Sequence, residues 1–284
     1  METRSCSAAS FASAEPLPGT ASRATALLLL EVRTAWPRDV LDGTALGAAV
    51  TDRLRSWIAE RPGSKALFVR RPDRRSGPLC AFLVEVAARP SVRCLDLADH
   101  DDLLDVSLDA DAALVDGPLA LVCGHARRDR CCARLGLPLF DELTGEFEPA
   151  SLWLSSHQGG HRFAANLLWL PDGLAFGRVA PMEATQLVAE LRAGRLPTEN
   201  LRGRIALSPE SQAAEIAARN TLGVSGVSDV TVVSETSGTV RLATPRGEVD
   251  VRVESQPGPV VPASCGVEPE PTVRYVATVV GAGS

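Results

Sequence analysis

Apolar residues in this chain of 284 residues fall into short unbroken runs separated by stretches that repeat every three or four positions. A run of four to eight apolar residues bounded by turn formers predicts a strand buried on both faces, and the longer period predicts an amphipathic helix. ALLLLEV (26–32), KALFVR (65–70), CAFLVEVA (80–87) and LALVC (119–123) are therefore read as strands. LGAAVTDRLRSWIAE, Leu46 to Glu60, is read as a helix stopped by Pro62 and Gly63. Strand and helix alternate, which is the pattern of an α/β layer. Further on, GLAFGRV reads as a strand and EATQLVAELRAG, Glu183 to Gly194, as a helix closed by its glycine. SPESQAAEIAARN opens another helix, with Ser208 as N-cap, Pro209 at the first helical position and Gln212 near the capping-box place. The strands DVTVVSE, TVRLATP, EVDVRVES and TVRYVATVV then complete a small α+β unit.

These elements divide the chain into three parts. Residues 1–22, rich in Ser, Ala and Pro, show no sustained period and are read as an irregular lead-in. Residues 23–197 form the main α/β domain, LPTENLRGR looks like a linker, and residues 205–284 form the smaller C-terminal unit. No internal repeat is evident.

Composition narrows the function classes. Hydrophobic residues make up 45% of the chain, which suits a globular protein, and a net charge of −6 argues against a nucleic-acid binder. The apolar core of ATALLLLEV is too short for a signal peptide and far too short for a membrane span, so a cytoplasmic protein without a membrane partner is expected. The eight aspartates from Asp96 to Asp116 and the arginines from Arg70 to Arg75 are read as solvated surface, with His100 exposed among the aspartates. Seven cysteines, an odd number, point away from a disulfide framework and toward thiol or metal chemistry.

The chemistry concentrates in CGHARRDRCC (123–132) and SSHQGGHRFAAN (155–166), which hold three of the seven cysteines and three of the four histidines. Cys123 and Cys132 flank an arginine-rich turn, and His157 and His161 are separated by three residues, two of them Gly159 and Gly160. Two thiolates and two imidazoles make a four-ligand set, the number that a zinc site or a [2Fe–2S] cluster requires. The gap between the cysteines is too long for a zinc-finger knuckle, although an irregular zinc site is compatible with it. The chain has no C-x-x-C, so a thioredoxin-type dithiol mechanism is not expected. It also has no GxGxxG or P-loop, so a flavin or nicotinamide would have to arrive on a partner.

Together the two motifs resemble the sucrase/ferredoxin-like family, whose pattern is CGH-x-x-RD-x-x-C followed by SH-x-GGH with an Asn close behind. The resemblance covers roughly residues 20 to 195. It implies a thioredoxin-like ferredoxin fold with a [2Fe–2S] cluster on Cys123, Cys132, His157 and His161. Cys132 is preferred over its neighbour Cys131 because it alone reproduces the family spacing. His125, Arg128 and Asp129 are expected beside the cluster without ligating it, and Gly159 and Gly160 are expected to let the loop approach closely. Cys6, Cys80, Cys94 and Cys265 lie outside the motif and are expected to tolerate replacement. The implied function is that of an electron carrier, rather than an enzyme, exchanging electrons with a reductase or acceptor protein. The alternatives are a zinc-stabilised interaction module and, further behind, a sucrase-type glycosidase. Against the last, aromatic residues are only 4% of the chain, and no carboxylate pair stands out.

Overall fold

The computed structural model describes residues 5–72, 77–87, 89–148 and 150–282. Positions 73–76 of the arginine-rich loop lie outside the described residues. In chain order the elements are α1 (Cys6–Ala12), β1 (Ala26–Glu31), α2 (Ala48–Ala59), β2 (Lys65–Arg70), β3 (Leu79–Glu85), β4 (Ser91–Leu97), α3 (Leu108–Asp111), β5 (Ala113–Leu114) and β6 (Leu119–Cys123). There follow α4 (Arg130–Leu143), β7 (Leu152–Ser155), β8 (Leu167–Leu170), β9 (Leu174–Phe176), α5 (Pro181–Arg192), β10 (Leu201–Arg204) and α6 (Pro209–Leu222). Four strands close the chain, β11 (Thr231–Thr236), β12 (Thr239–Thr244), β13 (Gly247–Pro262) and β14 (Pro269–Ala282).

The protein is mixed α/β. Among the described residues, one sheet of ten strands runs in the order β10-β9-β8-β6-β7-β2-β1-β3-β4-β5, and a second of four runs β11-β12-β13-β14. In the large sheet β1 and β2 are parallel, as are β6 and β7, and the remaining pairs are antiparallel. The unbroken apolar runs have a simple cause. In β1, Leu28 and Leu30 pack with Val50, Leu54 and Trp57 of α2, whereas Leu27 and Leu29 enter the core on the opposite face with Phe82 and Trp153. Either face of the strand is dry, so alternation would have placed polar groups where no water can reach them. Farther along the sheet, α4 and α5 lay Leu139, Leu143, Leu187 and Val188 over Ala120, Val122, Leu167 and Trp169. The small sheet is covered by α6, whose Ala214 and Ala218 meet Val240, Leu242, Val249 and Val251.

Four sequence expectations change. The lead-in is not irregular. Residues Cys6–Ala12 form a helix capped by the Ser5 hydroxyl, and Cys6, Ser10 and Glu15 are buried. Seven residues are too few to show a period, and so short a helix depends on tertiary packing. The supposed linker contains β10, which pairs with β9 and makes an edge of the large sheet, so that sheet extends to Arg204, beyond the expected limit at residue 197. Gln212 does not close a capping box. Its amide instead brackets Ala21, accepting from the Ala21 N–H at 3.0 Å and donating to its carbonyl at 3.1 Å. His100 is half-buried, with Nε2 at 2.9 Å from the Glu31 carbonyl. Among the described residues, no helix is long and apolar enough to cross a membrane.

Candidate metal centre

Two neighbouring parallel strands bring the motifs together. In β6 and β7, Cys123 stands opposite Ser155 at the carboxyl ends, so the chain leaves one strand at a cysteine and the other just before His157. Gly124 and His125 then turn the chain into α4, where the Asp129 carboxylate accepts the Cys131 N–H at 2.8 Å and caps the helix. Cys132 follows in the first turn and faces back toward Cys123. The two elements approach closely because Gly136 of α4 has no side chain; a methyl group there would run into the Cys123 carbonyl. Cys132 Sγ lies 3.8 Å from His157 Nδ1, and the donor atoms of Cys123, Cys132 and His157 all fall within 4.8 Å of one another.

His161 comes from the next turn, and its donor atoms lie outside the group formed by Cys123, Cys132 and His157. Its ring stacks on that of His157 with centroids 4.5 Å apart and planes 26° apart. Its Nδ1 is buried and has no hydrogen-bond partner among the described residues. Burial, with the neighbouring His157 adding to it, pushes the His161 pKa down and favours the neutral imidazole, the form that binds metals. The two glycines make the loop possible. Gly159 and Gly160 have φ of +97° and +73°, and side chains there would collide with Ser22 and Arg202.

The thiols are electrostatically linked. A hydrogen bond from Cys132 holds the Cys123 thiol well below its ordinary pKa despite complete burial, with His157 adding to the effect, and the same bond pushes Cys132 up. The pair thus shares one proton, and a metal cation bound there would displace it.

The residues expected beside the centre divide. His125 is buried and uses both ring nitrogens, one on the Pro37 carbonyl at 2.8 Å and the other accepting the His157 N–H at 3.3 Å. It therefore positions the His157 backbone. Arg128 lines a cavity of about 250 Å³ beside His125 and His157. Asp129 bonds to other groups. Beyond its capping bond, it accepts from Ser264 Oγ at 2.8 Å and the Cys265 N–H at 2.7 Å. Although burial raises its pKa, these donors bring it down to about 2.

Sequence reasoning missed Arg202. It is buried, and its guanidinium donates to the Gly159 carbonyl at 3.0 Å, to Asn166 Oδ1 at 2.9 Å and to Thr20, while lying over the Phe163 ring. Asn166 in turn donates to the Gly160 carbonyl at 3.1 Å, and its own carbonyl accepts the Cys123 N–H at 3.1 Å. Arg202 thus ties both ends of the histidine loop to the edge strand. Burial, followed by the charge of Arg162, lowers its pKa to about 9, so it stays charged at neutral pH. Nothing in LPTENLRGR marks this arginine, because its partners lie far away in the sequence.

A family model described as sucrase/ferredoxin-like matches residues 17–203. Curated relatives include proteins called altered inheritance of mitochondria protein 32. The one from Eremothecium gossypii is 36% identical over 101 residues, covering 31% of this chain and 32% of the relative. The one from Saccharomyces cerevisiae is 34% identical with the same coverage. The chain therefore spans about a third of the relatives it matches. Among solved structures, a thioredoxin-like [2Fe–2S] ferredoxin from Aquifex aeolicus aligns over 31% of this chain and 91% of its own, with 17% identity and a TM-score of 0.27. A score that low carries nothing over to this chain.

Proposed function

Because the chain belongs to the sucrase/ferredoxin-like family, we propose that it is an electron-transfer protein in which Cys123, Cys132, His157 and His161 hold a [2Fe–2S] cluster. The observation that carries this reading is the convergence of two buried thiols and the His157 imidazole, with the His161 ring stacked on His157 and its buried Nδ1 lacking a hydrogen-bond partner among the described residues. A buried polar atom left without a hydrogen bond calls for another partner, and a metal ion that accepts the nitrogen lone pair is one. The donor set fits the group: thiolates and neutral imidazoles are the ligands that mixed cysteine–histidine iron–sulfur sites use.

When bound, the cluster takes up and releases single electrons. The protein's own residues do the rest. Cys123 and Cys132 are buried and shield their side of the centre from water, whereas His157 and His161 are partly exposed and form the edge a redox partner can approach. Arg202 and Asn166 hold the loop carrying both histidines, and His125 fixes the backbone of one of them. The partner is a reductase or acceptor protein, and the compartment we favour is the cytoplasm.

The test is a spectrum and a metal analysis of protein purified without oxygen. Visible absorption that bleaches with dithionite, together with two irons per chain, is the expected result. A colourless protein carrying zinc on Cys123 and Cys132 would overturn the reading and leave a zinc-stabilised interaction module.

A further inference from the structure

Three of the cysteines not assigned to the first centre come together. Cys6 from α1, Cys131 from the first turn of α4 and Cys265 from the connection between β13 and β14 form a triangle. Their sulfur separations are 3.5 Å for Cys6 to Cys131, 3.3 Å for Cys131 to Cys265 and 3.6 Å for Cys265 to Cys6. Both Asp129 carboxylate oxygens lie 3.7 Å from Cys6 Sγ, and the three sulfurs and one carboxylate oxygen all fall within 4.8 Å of one another. Cys6 and Cys131 are buried and Cys265 is half-buried. The ligands come from three separate stretches of chain.

We propose that Cys6, Cys131, Cys265 and Asp129 form a second metal site, a closed structural zinc site distinct from the candidate redox centre. The geometry fits a tetrahedron around a small cation. Bonds of about 2.3 Å from zinc to sulfur place the sulfurs roughly 3.8 Å apart, and a zinc–oxygen bond of about 2.0 Å places sulfur and oxygen roughly 3.5 Å apart. The three sulfur separations and the spacing from Cys6 to Asp129 need to change by only a few tenths of an ångström. A disulfide would join two of the sulfurs and leave the third without a role. Three thiolates and a carboxylate favour zinc over the hard cations, which prefer an all-oxygen shell. Asp129 can serve as fourth ligand through Oδ1, which accepts the Cys131 N–H, while Oδ2 takes the bonds from Ser264 and Cys265. That outer pair of bonds orients the carboxylate, as supporting hydrogen bonds do in metal sites generally. Binding releases the thiol protons to solvent and transfers no electrons.

This inference stands apart from the cluster reading, and one set of measurements separates them. The full-length protein, produced in medium containing zinc and passed through a desalting column, is analysed for zinc and iron together. The expected result is one tightly held zinc per chain, with a zinc-edge absorption signal of three sulfurs and one light atom. In Cys265→Ser, whose side chain is half-buried and least needed for packing, and in Cys6→Ser, that zinc should be lost while iron content and visible spectrum stay at the wild-type level. Wild-type protein that holds no zinc, variants that keep it, or iron found on these ligands would each overturn the proposal. Protein with the zinc but no iron would defeat the cluster reading and leave this site standing.

Discussion

Cys131 and Cys132 are adjacent in sequence, yet they belong to different constellations. Cys132 faces Cys123 and His157, while Cys131 faces Cys6 and Cys265. Two successive residues on a helix point about 100° apart, and here that rotation is enough to send one thiol to each side of the start of α4. The first constellation is assembled within two neighbouring motifs by parallel strands and short turns. The second draws on both ends of the described chain, with Cys6 and Cys265 259 positions apart. The contrast shows that a local motif can be read from its spacing, whereas a site built by tertiary closure leaves only isolated cysteines in the sequence.

The sharpest way to test the contrast is to exchange the roles. Cys132→Ser should remove essentially all the iron, and Cys131→Ser should remove the zinc and leave the iron. Metal analysis of the two proteins side by side checks this, and a loss of iron from Cys131→Ser alone would reverse the assignment.

Shortening the chain comes next in size. A protein ending at Gly194 keeps both motifs but lacks β10, Arg202 and the hairpin that carries Cys265. It should retain neither metal. Retention of iron by this fragment would show that the motif site owns its fold and would restore the boundary expected from sequence.

Arg202→Gln should have an intermediate effect confined to the first site. It removes the charge and the forked grip on Gly159 and Asn166, and supporting residues of this kind are typically worth about 10–100-fold in metal affinity. Iron release to a chelator should quicken accordingly, with the zinc content unchanged. The smallest effect belongs to the second site: Ser264→Ala deletes one bond to Asp129 and should cost about 1 kcal/mol of stability, read from urea unfolding of the loaded protein.

Much of this molecule was legible in the sequence. The buried strands β1, β2, β3 and β6 are written as unbroken apolar runs because sheet faces on both sides are covered. The helices α2, α5 and α6 show their period and their stops. The family resemblance favoured Cys132 over Cys131 as a ligand; the structure groups Cys132 with Cys123 and His157 and leaves His161 outside that group, and ligation itself stays a proposal. The rest depends on partners distant in sequence. The four-residue strands β7 and β8 are too short to declare a period. The helix α1 is stabilised by what it packs against, and Arg202 looks like any surface arginine until β10 carries it under the histidine loop. Gln212 sits where a capping box would need it, but the Ala21 backbone offers it two hydrogen bonds at once.

The hairpin of β13 and β14 also sets an order of events during synthesis. Chains emerge from the ribosome N-terminal part first, and domains fold as they appear. The strands and turns bearing Cys123, Cys132, His157 and His161 are all available well before Cys265 leaves the exit tunnel, so Cys6 and Cys131 lack their third sulfur until β13 has been made as well. Closure of the proposed triangle thus comes after the motif site has been made, and a product terminated before β14 would carry its motif cysteines and histidines with the clasp open.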